Sequence, residues 1–289
     1  MKLRHLLVVL ALASTAAGAD ITASALAEIS GIALAQGHDG FWVHNDSGDL
    51  PRLYAIDRAG NHLATVLVTG ANAIDWEDMC ACSINGVRYL VVADMGDNLS
   101  VLPERALYAI VEPQLTGTED PNKAVKIPLA WSLRYRLPIG PADAEGLAFD
   151  ARARRFLVLT KRTEPAQLFS LPEQGAPDLV HVAQFEAPLP APTIPDSLRK
   201  QKGAYAAEAH FPTALDCSID GSALLVTNYV QLLYYRRAAN ESWAQALRRS
   251  PQLVPIPVLM QTEAVCFDGA SAVIASEQLP ATMVTVPLP

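Results

Sequence analysis

Glu28-Ile-Ser-Gly-Ile-Ala-Leu-Ala35 is the first of five octapeptides that align without gaps along this chain. The others are Asp75-Trp-Glu-Asp-Met-Cys-Ala-Cys82, Asp143-Ala-Glu-Gly-Leu-Ala-Phe-Asp150, Thr213-Ala-Leu-Asp-Cys-Ser-Ile-Asp220 and Gln261-Thr-Glu-Ala-Val-Cys-Phe-Asp268. Position one is polar and usually acidic. Position three is Glu in three copies, Glu77, Glu145 and Glu263. Positions five and seven are mostly apolar. Position six is always small: Ala33, Cys80, Ala148, Ser218 and Cys266. Such recurrence at long spacing marks a repeat architecture, and repeats bear on the fold before any local feature does.

Each octapeptide is followed by a second β-like run: Phe41–Asp46, Tyr89–Asp94, Arg155–Thr160, Ala223–Asn228 and Ala272–Glu277. Short polar turns such as Asn85-Gly86 and Asp220-Gly221 separate the runs, which is a hairpin signal. Third runs follow at 52–56, 106–111, 167–171, 231–235 and 282–286, and fourth runs at 63–68 and 179–185. Four-stranded antiparallel units at a period near fifty residues are propeller blades. The expected fold is therefore all-β, a five-bladed β-propeller spanning residues 20–289 as one domain. The alternative is a sixth blade hidden in one of two long, proline-rich gaps, 113–140 and 186–212. Those gaps are otherwise read as long loops or strand extensions over one face. The last unit shows three strands, so Ile21–Ala25 is expected to supply its fourth and close the ring. One short helix is expected around Ser242–Arg248.

The chain opens with a basic Met1-Lys2-Leu3-Arg4, an apolar run from Leu6 to Ala13 and a small-x-small site at Ala17-Gly18-Ala19. This is the pattern of a signal peptide over residues 1–19, cleaved before Asp20, and it predicts an exported protein, periplasmic or secreted. No later stretch is apolar enough to span a membrane. A net charge of −8 argues against a nonspecific grip on nucleic acid. The 21 prolines suit many short strands and tight connections better than long helices. Cys80, Cys82, Cys217 and Cys266 show no metal-type C-x-x-C pair. They read as buried small residues, with a bridge between distant ones left open.

In a blade the first strand lines the central channel and the second runs back antiparallel. First-strand starts and second-strand ends therefore meet at one mouth. The starts bring Glu28, Asp75, Glu77, Asp78, Asp143, Glu145, Asp216 and Glu263. The ends bring His44, Asn45, Asp46, Asp94, Asp97, Asn98, Lys161, Arg162, Asn228 and Glu277. Crowded carboxylates raise one another's pKa or demand a cation. Oxygen donors favour a hard divalent ion, Ca²⁺ or Mg²⁺ over zinc, with Ca²⁺ the one expected. The metal set expected is Glu77, Glu145 and Glu263 with Asp143 and Glu28. Asp78 or Asp94 is the candidate base, and Lys161 and Arg162 are candidates for holding an anion or for neutralising Asp143 and Glu145. The fourth copy has Leu215 where Glu is expected, a gap that Asp216 or Glu208 would have to fill. The chain has no Gly-x-Ser-x-Gly elbow, no phosphate-binding Gly-rich loop and no metalloprotease helix motif.

His44-Asn-Asp-Ser-Gly48, Asp75-Trp-Glu-Asp78, Asp94-Met-Gly-Asp-Asn98 and Asp143-Ala-Glu-Gly146 resemble a group of bacterial exported propeller proteins. More distantly they resemble phytase-like and SdiA-regulated propellers, and the calcium-containing propellers that include strictosidine synthase-like and gluconolactonase-like proteins. The resemblance covers most of the chain after the leader and implies a propeller fold with a metal in the channel. It does not carry a reaction with it. Two functions are thus expected: a metal-dependent hydrolase of an ester, lactone or phosphoester, or a non-catalytic binding or scaffold propeller with a structural ion.

Overall fold

The computed structural model describes residues 17–176 and 178–289, and in it five sheets, each built on an antiparallel four-stranded blade, stand around one axis. The strands in chain order are β1 (Ala17–Ile21), β2 (Ile29–Leu34), β3 (Gly40–Asn45), β4 (Arg52–Asp57), β5 (His62–Thr69), β6 (Trp76–Ile84), β7 (Val87–Asp94) and β8 (Arg105–Val111). They continue with β9 (Val125–Pro128), β10 (Trp131–Arg136), β11 (Ala144–Asp150), β12 (Arg155–Thr160), β13 (Ala166–Pro172), β14 (Val180–Val182) and β15 (Gln184–Leu189). The last are β16 (Pro212–Cys217), β17 (Ala223–Asn228), β18 (Leu232–Arg236), β19 (Gln252–Val254), β20 (Thr262–Asp268), β21 (Ser271–Ser276) and β22 (Ala281–Pro287). Two short helices, α1 (Asp196–Lys200) and α2 (Trp243–Ala246), and a 3-10 turn at Gly203–Ala206 complete the described elements.

The blades are β2-β3-β4-β5, β6-β7-β8-β10, β11-β12-β13-β15, β16-β17-β18-β19 and β20-β21-β22-β1. The five-bladed expectation holds. The innermost strand of every blade is the repeated octapeptide. Each sheet buries both faces against its neighbours, so inner strands carry apolar residues on both sides, and β11 is buried along its whole length. Leu147 and Phe149 of β11 pack toward the second blade, and Ala148 packs with Leu215 toward the fourth. Ile29 and Ile32 of β2 share a core with Ala264 and Cys266 of β20, which brings the first blade against the last. The cysteines are all buried and unbridged.

The gap at 113–140 is not a loop over a face. It contains β10, the fourth strand of the second blade, and β9, which pairs in parallel with β5 at the rim of the first blade. The expected fourth run at 179–185 divides in the same way: β14 joins the second blade beside β10, and β15 completes the third. Both extra strands cover edges that would otherwise be open. The helix near Ser242 is present as α2, with Ser242 and Gln245 forming a capping box. In the fifth blade β1 pairs antiparallel with β22 over Ala17–Ile21, whereas a strand was expected over Ile21–Ala25. The chain turns there instead, Leu26 N–H donating to the Ala23 carbonyl at 2.9 Å. The bulk of the signal-peptide segment, residues 1–16, lies outside the described residues.

Candidate functional site at the acidic channel mouth

Every inner strand carries a β-bulge at the same place. The register of the inner hairpin slips between Ile29 and Gly31, Trp76 and Asp78, Ala144 and Gly146, Pro212 and Ala214, and Thr262 and Ala264. The residues stepped over are Ser30, Glu77, Glu145, Thr213 and Glu263. A bulge breaks strict alternation and re-aims a side chain, here toward the axis rather than a neighbouring blade. The two hydroxyls of this ring are used between blades: Ser30 Oγ donates to the Glu77 carbonyl at 2.5 Å, and Thr213 Oγ1 to the Thr262 carbonyl at 2.6 Å. The three carboxyls are left for the channel.

The bulge also corrects the fourth repeat. Aligned on it, that copy begins at Phe211, and Thr213 occupies the glutamate position. Leu215 belongs with Ile32, Met79, Leu147 and Val265, while Asp216 falls in the ring of Ala33, Cys80, Ala148 and Cys266 further along the channel. Neither Asp216 nor Glu208 fills the gap in the acid ring. Glu208 pairs instead with Arg162 at 3.3 Å.

Above the ring stand the residues that follow each second strand. Their backbone amides tie back to the octapeptide starts: Asp46 N–H to the Glu28 carbonyl at 2.8 Å, Lys161 N–H to that of Asp143 at 3.0 Å, and Glu277 N–H to that of Gln261 at 2.9 Å. This sets two overlapping acid groups. Carboxylate oxygens of Asp46, Asp75 and Glu77 lie within 4.8 Å of one another, and so do those of Glu77, Asp143 and Glu145. Gly96 is packed against the first group. A Cβ there would stand 2.1 Å from Glu77 Oε1 and 2.4 Å from Asp75 Oδ2.

The two groups differ in how their charge is met. Lys161 Nζ lies 2.7 Å from Glu145 Oε1 and 5.4 Å from the centre of the Tyr229 ring. Arg162 pairs with Asp143. Asp143 Oδ1 also accepts from the Asp97 amide at 2.9 Å, and Asp97 is held by buried Arg105 at 3.0 Å. Among the described residues no lysine or arginine forms a salt bridge with Asp46, Asp75, Glu77, Glu263 or Glu277. Burial, then the neighbouring acids, pushes the Asp75 carboxyl up to about 6. Burial, then Glu145, raises Glu77 well above the usual carboxylate range, and burial lifts Glu145 to about 7 against the pull of Lys161. Burial alone would lower the Lys161 ammonium, but Glu145, Glu263 and Glu77 overcome it and hold Lys161 firmly protonated. Oxygen-only donors with surplus negative charge fit a hard divalent cation.

The other expected site residues are placed as follows. Glu28 precedes the bulge, so its side chain is exposed at the rim and belongs to neither acid group. Glu263 and Glu277 stand on the fifth-blade side. Asp94 Oδ1 accepts from the amides of Ile74 and Asp75 at 3.1 and 2.8 Å and so fixes the segment that carries Asp75. Asp78 lies deeper and is 0% exposed. Its carboxylate accepts from Met79 N–H in its own blade, from Leu147 N–H in the third at 2.8 Å and from Leu215 N–H in the fourth at 3.1 Å. Reaching two blades beyond its own, it crosses the axis and plugs the channel, which suits an acceptor for inner-edge amides better than a base.

Residues 192–211 cover part of the mouth. Lys202 Nζ donates to the Met260 carbonyl at 2.8 Å, and Tyr205 packs on Tyr229 at 5.8 Å, so the segment rests on blades four and five. Toward blades one and two, Asp46 and Asp75 remain half-buried and Ser47 and Gly48 exposed. The mouth is roofed on one side and open on the other. Asp46 and Asp75 are among the expected mouth residues but outside the expected metal set, and Tyr229 and Lys202 are in neither. Asp46 and Asp75 were visible at strand ends, but nothing in the sequence marked them as sharing Glu77.

No protein-family model matches this chain, and no curated protein matches it in sequence. Among solved structures it is similar to luciferin-regenerating enzyme, over 94% of this chain and 95% of that one, at 9% identity and a TM-score of 0.47. The propeller assignment rests on the sheet topology itself.

Proposed function

We propose that this chain is an exported propeller that holds a calcium-type divalent cation at its acidic mouth and hydrolyses an ester, lactone or phosphoester there. The observation that carries the reading is the Asp46, Asp75 and Glu77 group: three convergent carboxylates at the open side of the mouth, with no lysine or arginine in a salt bridge to them among the described residues. Asp46, Asp75 and Glu77 would hold the ion, with Asp143 and Glu145 behind them. When bound, it supplies Lewis-acid polarisation of a carbonyl or phosphoryl oxygen. Arg162, with about a third of its side chain exposed, is the group that an anionic substrate meets first. Lys161, fixed by Glu145, keeps a positive charge beneath it. Asp94 holds Asp75 through Oδ1 and offers Oδ2 as a proton acceptor. Metal analysis of the purified protein, followed by a panel of phosphoesters and lactones, tests this. Chelation and Glu77→Gln should each lower turnover about a hundredfold or more, the scale of losing one electrostatic group in a site. Turnover untouched by both would end the proposal.

A second reading, a binding propeller with a structural ion, is favoured by one observation. Lys161 and Arg162 are already neutralised by Glu145 and Asp143 under the 192–211 segment. It predicts that chelation lowers the melting temperature while no substrate in the panel is turned over.

A further inference from the structure

Below the Asp78 plug the channel opens again at the far end. A cavity of about 310 Å³ lies there, walled by Ile32, Leu34, Cys80, Cys82, Phe149 and Phe267. Ile219, 81% exposed, forms part of its lip. Two charged side chains reach this apolar space, and they differ. Arg88 is matched: its Nε lies 3.1 Å from Glu112 Oε2 and its Nη2 donates to the Leu34 carbonyl at 3.0 Å. Asp216 has no salt-bridge partner among the described residues. Its Oδ1 accepts from Cys217 N–H at 2.8 Å and its Oδ2 from Phe267 N–H at 2.7 Å. Those two amides lie on different blades and fix the carboxylate in one orientation. Each oxygen keeps acceptor capacity toward the cavity.

We propose that this cavity binds a small, mostly apolar molecule carrying one ammonium group, with the cation on Asp216 and the apolar body against Phe149, Phe267 and Ile32. A largely apolar pocket with a few fixed polar groups is the general form of a small-molecule site, and here Asp216 is the one charged group left without an ion-pair partner among the described residues. The surplus charge there is one negative, so the complementary ligand is a monocation rather than an anion or a dication. The volume admits a ring and a short side chain. The site is separate from the acidic mouth, because Asp78 closes the channel between them. Burial lifts the Asp216 carboxyl to about 7, so an amine that keeps it ionised binds more tightly as pH rises from 6 to 8.

The test is calorimetric titration of the full-length protein with 2-phenylethylamine, 3-phenylpropan-1-ol and 3-phenylpropionate. The amine should bind at least about tenfold more tightly than the alcohol, the scale of one charge-assisted hydrogen bond, and the carboxylate should not bind. Asp216→Asn should lose the same tenfold. Ser83→Trp, an exposed position on the cavity wall, should block both the amine and the alcohol without disturbing the core. Glu77→Gln and chelation should leave amine binding unchanged. Equal affinity for amine and carboxylate, wild-type amine binding in both Asp216→Asn and Ser83→Trp, or loss of amine binding in Glu77→Gln would overturn the proposal.

Discussion

Gly96 leaves no room for a methyl group beside the acids. The atoms it would meet are carboxylate ends, not backbone, so Gly96→Ala should fold and move Glu77 and Asp75 apart. We expect its melting temperature in chelator to stay near wild type while its Ca²⁺ affinity falls about tenfold or more, a difference that titration calorimetry and thermal melts together resolve. Asp78 carries the opposite expectation. Asp78→Ala strands three buried amides, those of Met79, Leu147 and Leu215, and should destabilise by roughly 2–5 kcal/mol in urea unfolding. Asp78→Asn retains an acceptor oxygen and should recover much of that. The residue types at the mouth could be read from the sequence, but the division of labour could not. Asp78 and Glu77 are adjacent acids. Only the bulge at Glu77 turns that acid into the channel mouth and leaves Asp78 deeper, bonded across the axis to the third and fourth blades.

At the scale of the element, the repeated octapeptide was readable because inner strands face a neighbouring blade on each side and need small or apolar residues at fixed positions. The fourth copy was misread by two residues for a physical reason. A strand has a side-chain period of two, so a shift of two preserves the apolar pattern, and only an added signal fixes the register. In three copies that signal is the bulged glutamate; in the fourth it is Thr213, whose hydroxyl has another task. The edge strands β9 and β14 were hidden because each pairs with the blade before the one its sequence neighbours build. α2 is anchored differently. Asp150, 0% exposed, accepts from Trp243 Nε1 at 3.0 Å and pairs with Arg237 at 2.6 Å. Asp150→Ala leaves the Arg237 charge buried and should cost about 3–5 kcal/mol in equilibrium unfolding, far more than an exposed pair such as Arg249–Glu241.

For the whole molecule, the concentration of acids has a pH signature. Asp75 at about 6, and Glu145 and Asp216 at about 7, all lie above their unfolded values near 4. The folded chain therefore binds more protons than the unfolded chain between about pH 4 and 7, and its stability falls as pH rises through that window. Asp220 and Glu119, lowered to about 2, contribute with the opposite sign mainly below pH 4, and His44, lowered to about 4 by burial, opposes the trend between about pH 4 and 6.5 but is outnumbered by the raised carboxyls. In chelator the melting temperature should thus drop by several degrees from pH 5 to pH 8. Saturating Ca²⁺ replaces the protons at the mouth and should flatten that slope. At a hundred times its Kd it adds about 2.7 kcal/mol, or roughly 5–10 °C in a domain of this size. The blade count and the acid ring were visible in the sequence. The roof at 192–211, the plug at Asp78 and the second cavity arise from contacts between blades far apart in the chain, which no single repeat encodes.

Calorimetric titration of chelator-stripped protein with Ca²⁺ at pH 6.5 reads out whether the surplus carboxylates at the mouth hold a hard cation through Glu77. Wild type should bind the ion with release of protons from the raised carboxyls, and Glu77→Gln should bind at least about tenfold more weakly with less proton release. No Ca²⁺ binding by the wild-type protein, or equal binding by Glu77→Gln, would contradict a cation site built on Glu77.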